Sequence, residues 1–270
     1  MSDAKKSFGL IGAHLSHSYS KLLHSYFGYE YSFFELEKSD LKSFLDKRNF
    51  LGLNVTIPYK EEILALCDEV DELARQIGSA NTLYFNFEKK LHATNTDYFG
   101  FLSAMEFANV NLRSETVAIL GYGGVSKAII FACKTLGAKS VYVIRRTLTH
   151  TETAEPNVRF IEYKDIDVAK DSTVIINASP VGMFPEVDVA PCDLKFFPKC
   201  KFVFDVIYNP DETELLKQAR ELNIKHDSGL YMLVAQAAKS AEFFTGSPFY
   251  KPKTVTDIYQ KLKNRLSTPI

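Results

Sequence analysis

The sequence has almost no excess of charge, because 32 lysines and arginines are matched by 33 aspartates and glutamates among 270 residues. A formal net charge of −1 creates no global field that would recruit nucleic acid or an anionic membrane. No apolar run exceeds the length of a strand, and no apolar segment follows the polar residues at the start. We therefore expect neither a membrane span nor a signal peptide.

Cysteine is scarce and scattered. The four cysteines are Cys67, Cys133, Cys192 and Cys200, and they form no CxxC pair and no cluster with histidine. We therefore expect reduced thiols, no structural zinc and a cytoplasmic location. An apolar share of 46% and a charged share of 24% are ordinary for a globular protein, and the length is sufficient for two domains.

A lysine follows one of the predicted strands. Residues 50–55 form an apolar run, Thr56 comes next, and Pro58 ends strand pairing because it has no N–H to donate. Ligands of open α/β sheets bind beyond the carboxyl ends of strands, where Lys60 would lie. Residues 61–66 predict a helix, and its N-terminus is an unfavourable place for a cation. Lys60 is therefore either a solvated surface lysine or a catalytic or substrate-binding ammonium.

Hydroxyl side chains precede the first predicted helix. Ser16, Ser18 and Ser20 follow the predicted strand 8–11, and any one of them could cap that helix. Hydroxyls gathered beside the unpaired N–H groups of a helix N-terminus also suit a small carboxylate.

Polar side chains surround a predicted hairpin formed by residues 81–87 and 91–93. Asn81 begins its first strand, and Asp97 follows its second. Asp97 could simply cap the next helix. Two Asn-Thr pairs and an aspartate nevertheless provide more hydrogen-bonding groups than a turn requires. Before this hairpin, strands alternate with helices, which predicts a parallel sheet covered by helices.

The middle of the chain has the pattern of a dinucleotide-binding unit. A β-forming run at 116–120 leads into a glycine turn, and an apolar helix is predicted at 127–136. Gly121 allows the tight turn, and Gly123 lets the backbone approach a pyrophosphate at the helix N-terminus. The third fingerprint position is Ser126, which is small enough for close packing of helix on strand. The predicted cofactor-binding residues of this loop are Gly121, Gly123, Gly124, Val125 and Ser126.

The next predicted strand, 140–144, ends in Arg145, Arg146 and Thr147. NAD-binding units usually place an acid here to hold the ribose 2′-hydroxyl. With two guanidiniums in its place, the sequence favours NADP, whose 2′-phosphate arginine binds bidentately. The alternative interpretation is a pair of solvated surface arginines.

Three later residues are also candidates. Tyr208 lies in the turn after the predicted strand 201–205, and Gly229 precedes a long apolar helix at 230–244. Gln236 is an amide in the middle of that helix, which indicates a polar contact. A final helix is predicted at about 254–265.

Taken together, these segments resemble the shikimate dehydrogenase family along nearly the whole chain. Residues 17–20 are similar to its HSxS substrate-carboxylate motif, residues 54–60 to its lysine motif, and residues 121–126 to its GxGGxS/A loop. Residues 145–147 are similar to its NADP-selecting basic patch. Asn81 and Asp97 match the substrate-binding asparagine and the lysine's partner. The family usually has proline where His14 and Lys21 stand.

The resemblance implies an α/β fold of two domains with an active-site cleft between them. Residues 1–100, completed by C-terminal helices within 230–270, would form an open α/β substrate domain, and residues 101–229 a Rossmann-type NADP-binding domain. The implied reaction is the reversible reduction of 3-dehydroshikimate to shikimate by NADPH, in chorismate and aromatic amino-acid biosynthesis. The partners would be a small-molecule substrate, with no nucleic acid and no membrane, and the enzyme would be a monomer or a homodimer.

The resemblance also assigns roles. Lys60 and Asp97 would be catalytic, and Lys60 would either donate a proton or only stabilise charge. The implied substrate-binding residues are Ser18, Ser20, Thr56, Asn81, Tyr208 and Gln236. The implied cofactor-binding residues are the glycine loop, Arg145, Arg146, Thr147 and Gly229. A quinate or quinate/shikimate dehydrogenase using NAD(P) is the alternative activity, and a non-catalytic ligand sensor would have lost Lys60 or Asp97.

Overall fold

The structure is a computed structural model that describes residues 6–15, 18–149 and 156–266. The chain divides into two compact units, residues 1–100 with 234–270 and residues 101–233. The sequence predicts substrate binding by one domain and NADP binding by the other. These domain assignments and their bounds stay a prediction. Among the described residues, no helix is both long enough and apolar enough to cross a membrane.

The first unit contains a mixed sheet of six strands. The strands are β1 (Phe8–Gly12), β2 (Tyr31–Glu35), β3 (Gly52–Val55), β4 (Glu69–Val70), β5 (Thr82–Phe85) and β6 (Leu91–Thr94), in the spatial order β2-β1-β3-β5-β6-β4. β1 pairs in parallel with β2 and β3, as the alternation of strands and helices predicts. β5 pairs antiparallel with both β3 and β6, because the predicted hairpin reverses the chain.

The second unit contains a sheet of six strands in which every neighbouring pair is parallel. The strands are β7 (Thr116–Leu120), β8 (Ser140–Arg145), β9 (Val158–Glu162), β10 (Val174–Asn177), β11 (Phe202–Asp205) and β12 (Lys225–Ser228), in the order β12-β11-β10-β7-β8-β9. This is the strand order of a Rossmann sheet. After β7, the chain adds β8 and β9 on one side and then crosses over to add β10, β11 and β12 on the other side, so the order reverses between β7 and β10. Ligands bind in the crevice at such a reversal.

Helices lie between the strands of both units, and two more follow the last strand. They are α1 (Ser20–Ser25), α2 (Lys38–Asp46), α3 (Glu72–Ile77), α4 (Thr96–Phe107), α5 (Gly124–Thr135), α6 (Glu214–Glu221), α7 (Leu230–Thr245) and α8 (Pro252–Leu266). The helix predicted at 61–66 is instead a short 3-10 helix, Glu62–Leu66, and Lys60 lies in the turn before it. The prediction of an α/β chain with an open α/β half and a Rossmann-type half is confirmed.

Each sheet has its own apolar core. In the first unit, Ile11, Val55 and Leu83 are buried together with Leu41 and Leu45 of α2. In the second unit, all four residues of β10 and of β11 are buried, as expected for central parallel strands covered on both faces. The polar residues that follow the strands therefore lie at the edges of sheets whose central strands are buried.

A buried carboxylate connects the carboxyl ends of β10 and β11 by hydrogen bonds. Asp205 is 0% exposed, and it accepts hydrogen bonds from Asn177 Nδ2 (3.0 Å), the Ile207 N–H (3.0 Å) and the Thr213 hydroxyl (2.7 Å). Burial raises the pKa of Asp205 from 3.8 to about 6, and the three hydrogen bonds only partly oppose that rise. The folded state therefore keeps this proton up to a higher pH than the unfolded chain does.

We predict that Asp205→Asn will remove a pH-dependent loss of stability. Because the folded pKa is raised, wild type should lose free energy of unfolding as the pH rises from about 4 through about 6. A shift of about two pKa units corresponds to at most roughly 3 kcal/mol. Urea unfolding of both proteins between pH 4 and 8 checks this. A difference between variant and wild type that stays constant across this range would contradict the prediction.

Candidate functional site

Lys60 and Asp97 form an ion pair that is largely shielded from solvent. Lys60 Nζ donates to Asp97 Oδ2 over 2.6 Å, and the two side chains are 14% and 8% exposed. The interpretation of Lys60 as a solvated lysine is therefore wrong. Asp97 does not cap its helix, because Asn95 Oδ1 accepts the Tyr98 N–H at the start of α4 (3.3 Å). A buried pair of this kind is costly to break, since removing one partner leaves an uncompensated charge.

The second carboxylate oxygen of Asp97 is held by Asn81. Asn81 Nδ2 donates to Asp97 Oδ1 over 2.8 Å. The amide oxygen of Asn81 accepts the Thr96 N–H (2.7 Å) and lies within reach of the Thr96 and Thr82 hydroxyls (3.0 and 3.1 Å). These donors fix the orientation of the amide, so its NH2 group points at Asp97. Both oxygens of the carboxylate are thus positioned by neighbours.

Gln236 joins this group from α7. Its Oε1 lies 3.3 Å from both Asn81 Nδ2 and Thr96 Oγ1. The polar contact predicted for the mid-helix amide is therefore present. Lys60, Asp97, Asn81 and Gln236 are brought together within the first unit.

One turn further along α7, Ser240 is the centre of a buried hydroxyl cluster. Its Oγ lies 2.8 Å from Asn54 Nδ2, 2.9 Å from Thr82 Oγ1 and 3.0 Å from Thr96 Oγ1, and it donates to the Gln236 carbonyl. Sequence reasoning missed Ser240. The available signal was a second polar residue one helical turn after Gln236 in an alanine-rich helix.

Ser18, Ser20 and Thr56 follow β1 and β3, whose parallel pairing brings their carboxyl ends to one edge of the sheet. The Ser18 hydroxyl accepts the Ser20 N–H (3.2 Å) and donates to the Ser20 hydroxyl (2.9 Å). Neither serine caps α1, whose N-cap is Tyr19 without a side-chain bond. Ser16 and His17 lie outside the described residues.

The glycine loop after β7 has the shape expected for a phosphate cradle. Gly121 needs to be glycine, because its φ is +99° and an added Cβ would lie 2.8 Å from Ser179 Cβ. Gly123 has no such requirement, since an added Cβ would meet no protein atom within 4 Å. The space in front of Gly123 therefore fits a close approach by a ligand.

Helix α5 begins at Gly124, three residues earlier than predicted, so Gly124, Val125 and Ser126 form its first turn. The N–H groups of a first turn have no partner inside the helix and bind anions. Ser126 is fully buried, 3.5 Å from the Ala178 carbonyl, as the packing role of the third fingerprint position requires.

The basic residues lie at the end of β8. Arg145 is its last residue and is half-buried, while Arg146 and Thr147 are exposed. On the neighbouring strand β9, Glu162 is opposite Arg145 in register, but its carboxylate contacts Lys164 Nζ (2.6 Å) and the Leu148 N–H (3.1 Å).

Tyr208 and Gly229 lie beyond the ends of β11 and β12. Tyr208 is half-buried. Gly229 must be glycine because an added Cβ would lie 2.0 Å from the Val206 carbonyl oxygen, and its N–H donates to the Ile207 carbonyl (3.0 Å). Backbone packing thus explains Gly229, and the predicted ligand contacts of both residues stay predictions.

Comparison with known proteins gives one consistent result. A family model described as the shikimate dehydrogenase substrate binding domain matches residues 10–83. The shikimate dehydrogenase (NADP(+)) of Clostridium beijerinckii is 34% identical over 247 residues, which cover 88% of this chain and 91% of that protein.

Solved structures agree with this result. Shikimate dehydrogenase 1 from Peptoclostridium difficile superposes with a TM-score of 0.90 at 34% identity and covers 96% of this chain and 98% of its own. A quinate dehydrogenase from Corynebacterium glutamicum, in complex with NAD, superposes with a TM-score of 0.80 at 30% identity and covers 95% and 99%.

We predict that Ser240→Ala will lower the free energy of unfolding by about 1–2 kcal/mol, because three buried polar groups each lose one partner but keep others. Urea unfolding is the measurement. The matched control is Ser247→Ala, which removes an exposed hydroxyl after α7 and should cost less than about 0.5 kcal/mol. Equal costs at the two serines would contradict a central role for the Ser240 hydroxyl.

Proposed function

The chain belongs to the shikimate dehydrogenase family, and from this membership we propose that it reversibly reduces 3-dehydroshikimate to shikimate with NADPH, a step of chorismate biosynthesis. The observation that carries the proposal is the buried ion pair of Lys60 and Asp97, 2.6 Å apart. Asn81 and Gln236 lie beside this pair. A small polyhydroxylated acid offers the hydroxyls and the carbonyl that such a group of side chains can recognise.

Substrate binding needs an anion site and hydroxyl partners. The Ser18 and Ser20 hydroxyls, which already contact each other over 2.9 Å, would hold the substrate carboxylate. Thr56, Asn81 and Gln236 would hydrogen-bond the ring hydroxyls, since each offers a hydroxyl or amide at or near the carboxyl edge of the first sheet. Such fixed contacts hold the reacting carbonyl in one orientation.

The chemistry at the substrate carbonyl follows from charge. Bound NADPH supplies the hydride that reduces the carbonyl carbon. As the C–H bond forms, negative charge grows on the oxygen, and the Lys60 ammonium stabilises it by a hydrogen bond. The alcohol needs one proton, which Lys60 would either donate itself or leave to another donor while it only stabilises the charge. Asp97 holds Lys60 in place and accepts a substrate hydroxyl, while Asn81 keeps the carboxylate oriented.

The second unit has the features that NADP binding requires. The open space at Gly123 and the first turn of α5 would receive the pyrophosphate. Arg145, Arg146 and Thr147 at the end of β8 would receive the 2′-phosphate, because this is where the ribose lies in such folds. A planar guanidinium group can donate two parallel hydrogen bonds to two oxygens of one phosphate.

Quinate oxidation with NAD or NADP is the second candidate, because a quinate dehydrogenase that binds NAD superposes at 30% identity. The two arginines at the end of β8 favour NADP. We also propose a cytoplasmic monomer or homodimer, and the four free thiols are compatible with a reducing compartment.

The test of this proposal is a spectrophotometric assay with shikimate and quinate, each in the presence of NADP or NAD. The proposal expects the highest kcat/KM for shikimate with NADP. A higher value for quinate would transfer the assignment to the second candidate, and no oxidation of either substrate would refute both.

We predict that Lys60→Ala will reduce kcat by at least about a hundredfold, the usual range for a lost acid–base group. The dissociation constant of NADPH, measured by its fluorescence on binding, should change by less than about twofold, because Lys60 would contact the substrate and not the dinucleotide. The control Lys42→Ala removes an exposed lysine that is paired with Asp46, and it should retain full turnover. Full activity of the Lys60 variant would disprove the mechanism.

We predict that the double variant Arg145→Ala/Arg146→Ala will weaken NADP binding far more than NAD binding, since only NADP carries a 2′-phosphate. Titration calorimetry with each dinucleotide measures this. Arg159→Ala, which removes an exposed arginine on β9, is the control and should affect neither ligand. Equal losses for NADP and NAD in the double variant would refute the 2′-phosphate role.

A further inference from the structure

A buried tyrosine of the first sheet donates a hydrogen bond to an asparagine on β3. Tyr31 is the first residue of β2, and its hydroxyl lies 2.8 Å from Asn54 Oδ1. The Tyr31 ring stacks on His24, with centroids 4.0 Å apart and planes at 5°. Packing alone would be satisfied by phenylalanine, so the hydroxyl has a role of its own.

The orientation of the Asn54 amide follows from its neighbours. Its Nδ2 lies 3.2 Å from the Asn81 backbone carbonyl, which can only accept a hydrogen bond. The amide nitrogen must therefore face Asn81, the amide oxygen must face Tyr31, and the tyrosine hydroxyl must be the donor. The same NH2 group reaches Thr82 Oγ1 (3.1 Å) and Ser240 Oγ (2.8 Å).

From Asn54, hydrogen bonds continue in one direction to the ion pair. Asn54 donates to Thr82, and Thr82 Oγ1 donates to Asn81 Oδ1 over 3.1 Å. Asn81 Nδ2 then donates to Asp97 Oδ1 over 2.8 Å, and Lys60 holds the other oxygen of that carboxylate. The Tyr31 hydroxyl is thus the first donor of a continuous chain that ends on Asp97.

A second branch of the chain runs through two other hydroxyls. Ser240 Oγ, which accepts from Asn54, lies 3.0 Å from Thr96 Oγ1, and Thr96 Oγ1 donates to Asn81 Oδ1 over 3.0 Å. Both branches begin at Asn54 and meet again at Asn81. The hydrogen bond from Tyr31 precedes both of them.

A chain whose donors all point the same way is polarised along its length. An amide or hydroxyl that accepts a hydrogen bond becomes a stronger donor, and the effect is larger away from water. Asn54, Thr82, Asn81 and Asp97 are all buried. The chain therefore strengthens the hydrogen bond that Asn81 gives to the Asp97 carboxylate.

Without the Tyr31 hydroxyl, the Asn54 oxygen would lose this donor. The amide would then gain by turning its oxygen towards the hydroxyls of Thr82 and Ser240, which can donate as well as accept. A Thr82 hydroxyl that donates to Asn54 no longer donates to Asn81. The orientation of the Asn81 amide would become less strictly defined.

We propose that Tyr31 is a positioning residue for the Lys60–Asp97 pair, acting through the amides of Asn54 and Asn81. The inference rests on the proposed reaction at Lys60 and adds a residue of β2 to the groups that govern it. Because Tyr31 acts on the orientation of Asp97, its loss should lower turnover and leave NADPH binding unchanged.

The first test is oxidation of shikimate with NADP by full-length Tyr31→Phe, which removes one hydroxyl and keeps the ring. We expect kcat to fall about fivefold, within the range for changes that act on a site through intervening residues. KM for shikimate should change by less than about twofold, because the lost orientation is needed in the transition state.

The matched control is Tyr29→Phe. Tyr29 belongs to the same aromatic cluster, and its hydroxyl contacts His24 Nδ1 over 2.6 Å, outside the chain that leads to Asp97. Its removal costs a comparable hydrogen bond and should leave kcat unchanged. Thermal unfolding of each variant verifies that the assays report on folded protein.

Two variants of Thr82 separate hydrogen bonding from packing. Thr82 is fully buried. Thr82→Val keeps the volume but not the hydroxyl and should lower kcat. Thr82→Ser keeps the hydroxyl but loses a buried methyl group, so it should lower the free energy of unfolding and retain kcat to within about twofold.

A readout that needs no turnover is the proton NMR signal of the Asn81 side-chain NH2 group. The proton donated to Asp97 should move upfield in Tyr31→Phe, because Asn81 becomes a weaker donor. It should stay in place in Tyr29→Phe.

Several results would overturn the proposal. Unchanged kcat in Tyr31→Phe, an equal fall in Tyr29→Phe, or an effect confined to KM would remove the positioning role. A Thr82→Ser variant as slow as Thr82→Val would assign the effect to packing, and an unmoved Asn81 signal in Tyr31→Phe would refute the chain. A wild-type protein that oxidises neither shikimate nor quinate would refute the proposed function instead, and the Asn81 signal would then decide whether Tyr31 positions this amide.

Discussion

The ion pair between Lys60 and Asp97 is the constraint on which the first unit depends. Each charge is nearly out of water, so each must be compensated where it lies. Asp97 compensates Lys60, Asn81 holds the other carboxylate oxygen, and Thr96 and Gln236 hold Asn81. The turn after β3, the hairpin of β5 and β6, α4 and α7 each supply part of this arrangement. The surroundings of the lysine are therefore built from segments that lie far apart in the sequence.

Local features of the fold could be predicted from the sequence, whereas long-range ones could not. The apolar runs and the glycine turn located β3, β7 and the start of the dinucleotide unit, because strand period and turn chemistry depend on neighbouring residues. The two-residue strand β4 and the strand β9 were not predicted, and a 3-10 helix at Glu62–Leu66 replaces the helix predicted at 61–66. Asn54 and Ser240 meet across 186 residues, a contact that no periodicity reveals.

The glycines show what structure adds to a motif. Gly121 and Gly229 are required by the fold itself, since a side chain at either position would collide with backbone or side-chain atoms only 2–3 Å away. Gly123 is extended and faces open space, so the protein's own packing gives no reason for glycine there. The motif alone predicts different roles for Gly121 and Gly123, but it gives no structural reason for Gly229. Of the three, only Gly123 is not explained by protein packing, and it lies at the N-terminus of α5, where a pyrophosphate would be stabilised.

The proposed selection for a 2′-phosphate would also depend on how an acid opposite Arg145 is neutralised. Glu162 lies opposite Arg145 in the pairing of β8 with β9, and an uncompensated carboxylate there would oppose a bound phosphate. Its hydrogen bond to Lys164, helped by the Leu148 N–H, lowers the pKa of Glu162, so it stays ionised but paired. That negative charge is therefore compensated on β9 itself, by a lysine of the segment that follows and by a backbone N–H group. The preference for NADP would thus depend on the neutralisation of Glu162 on β9 as well as on the arginines at the end of β8, and the sequence motif shows only the arginines.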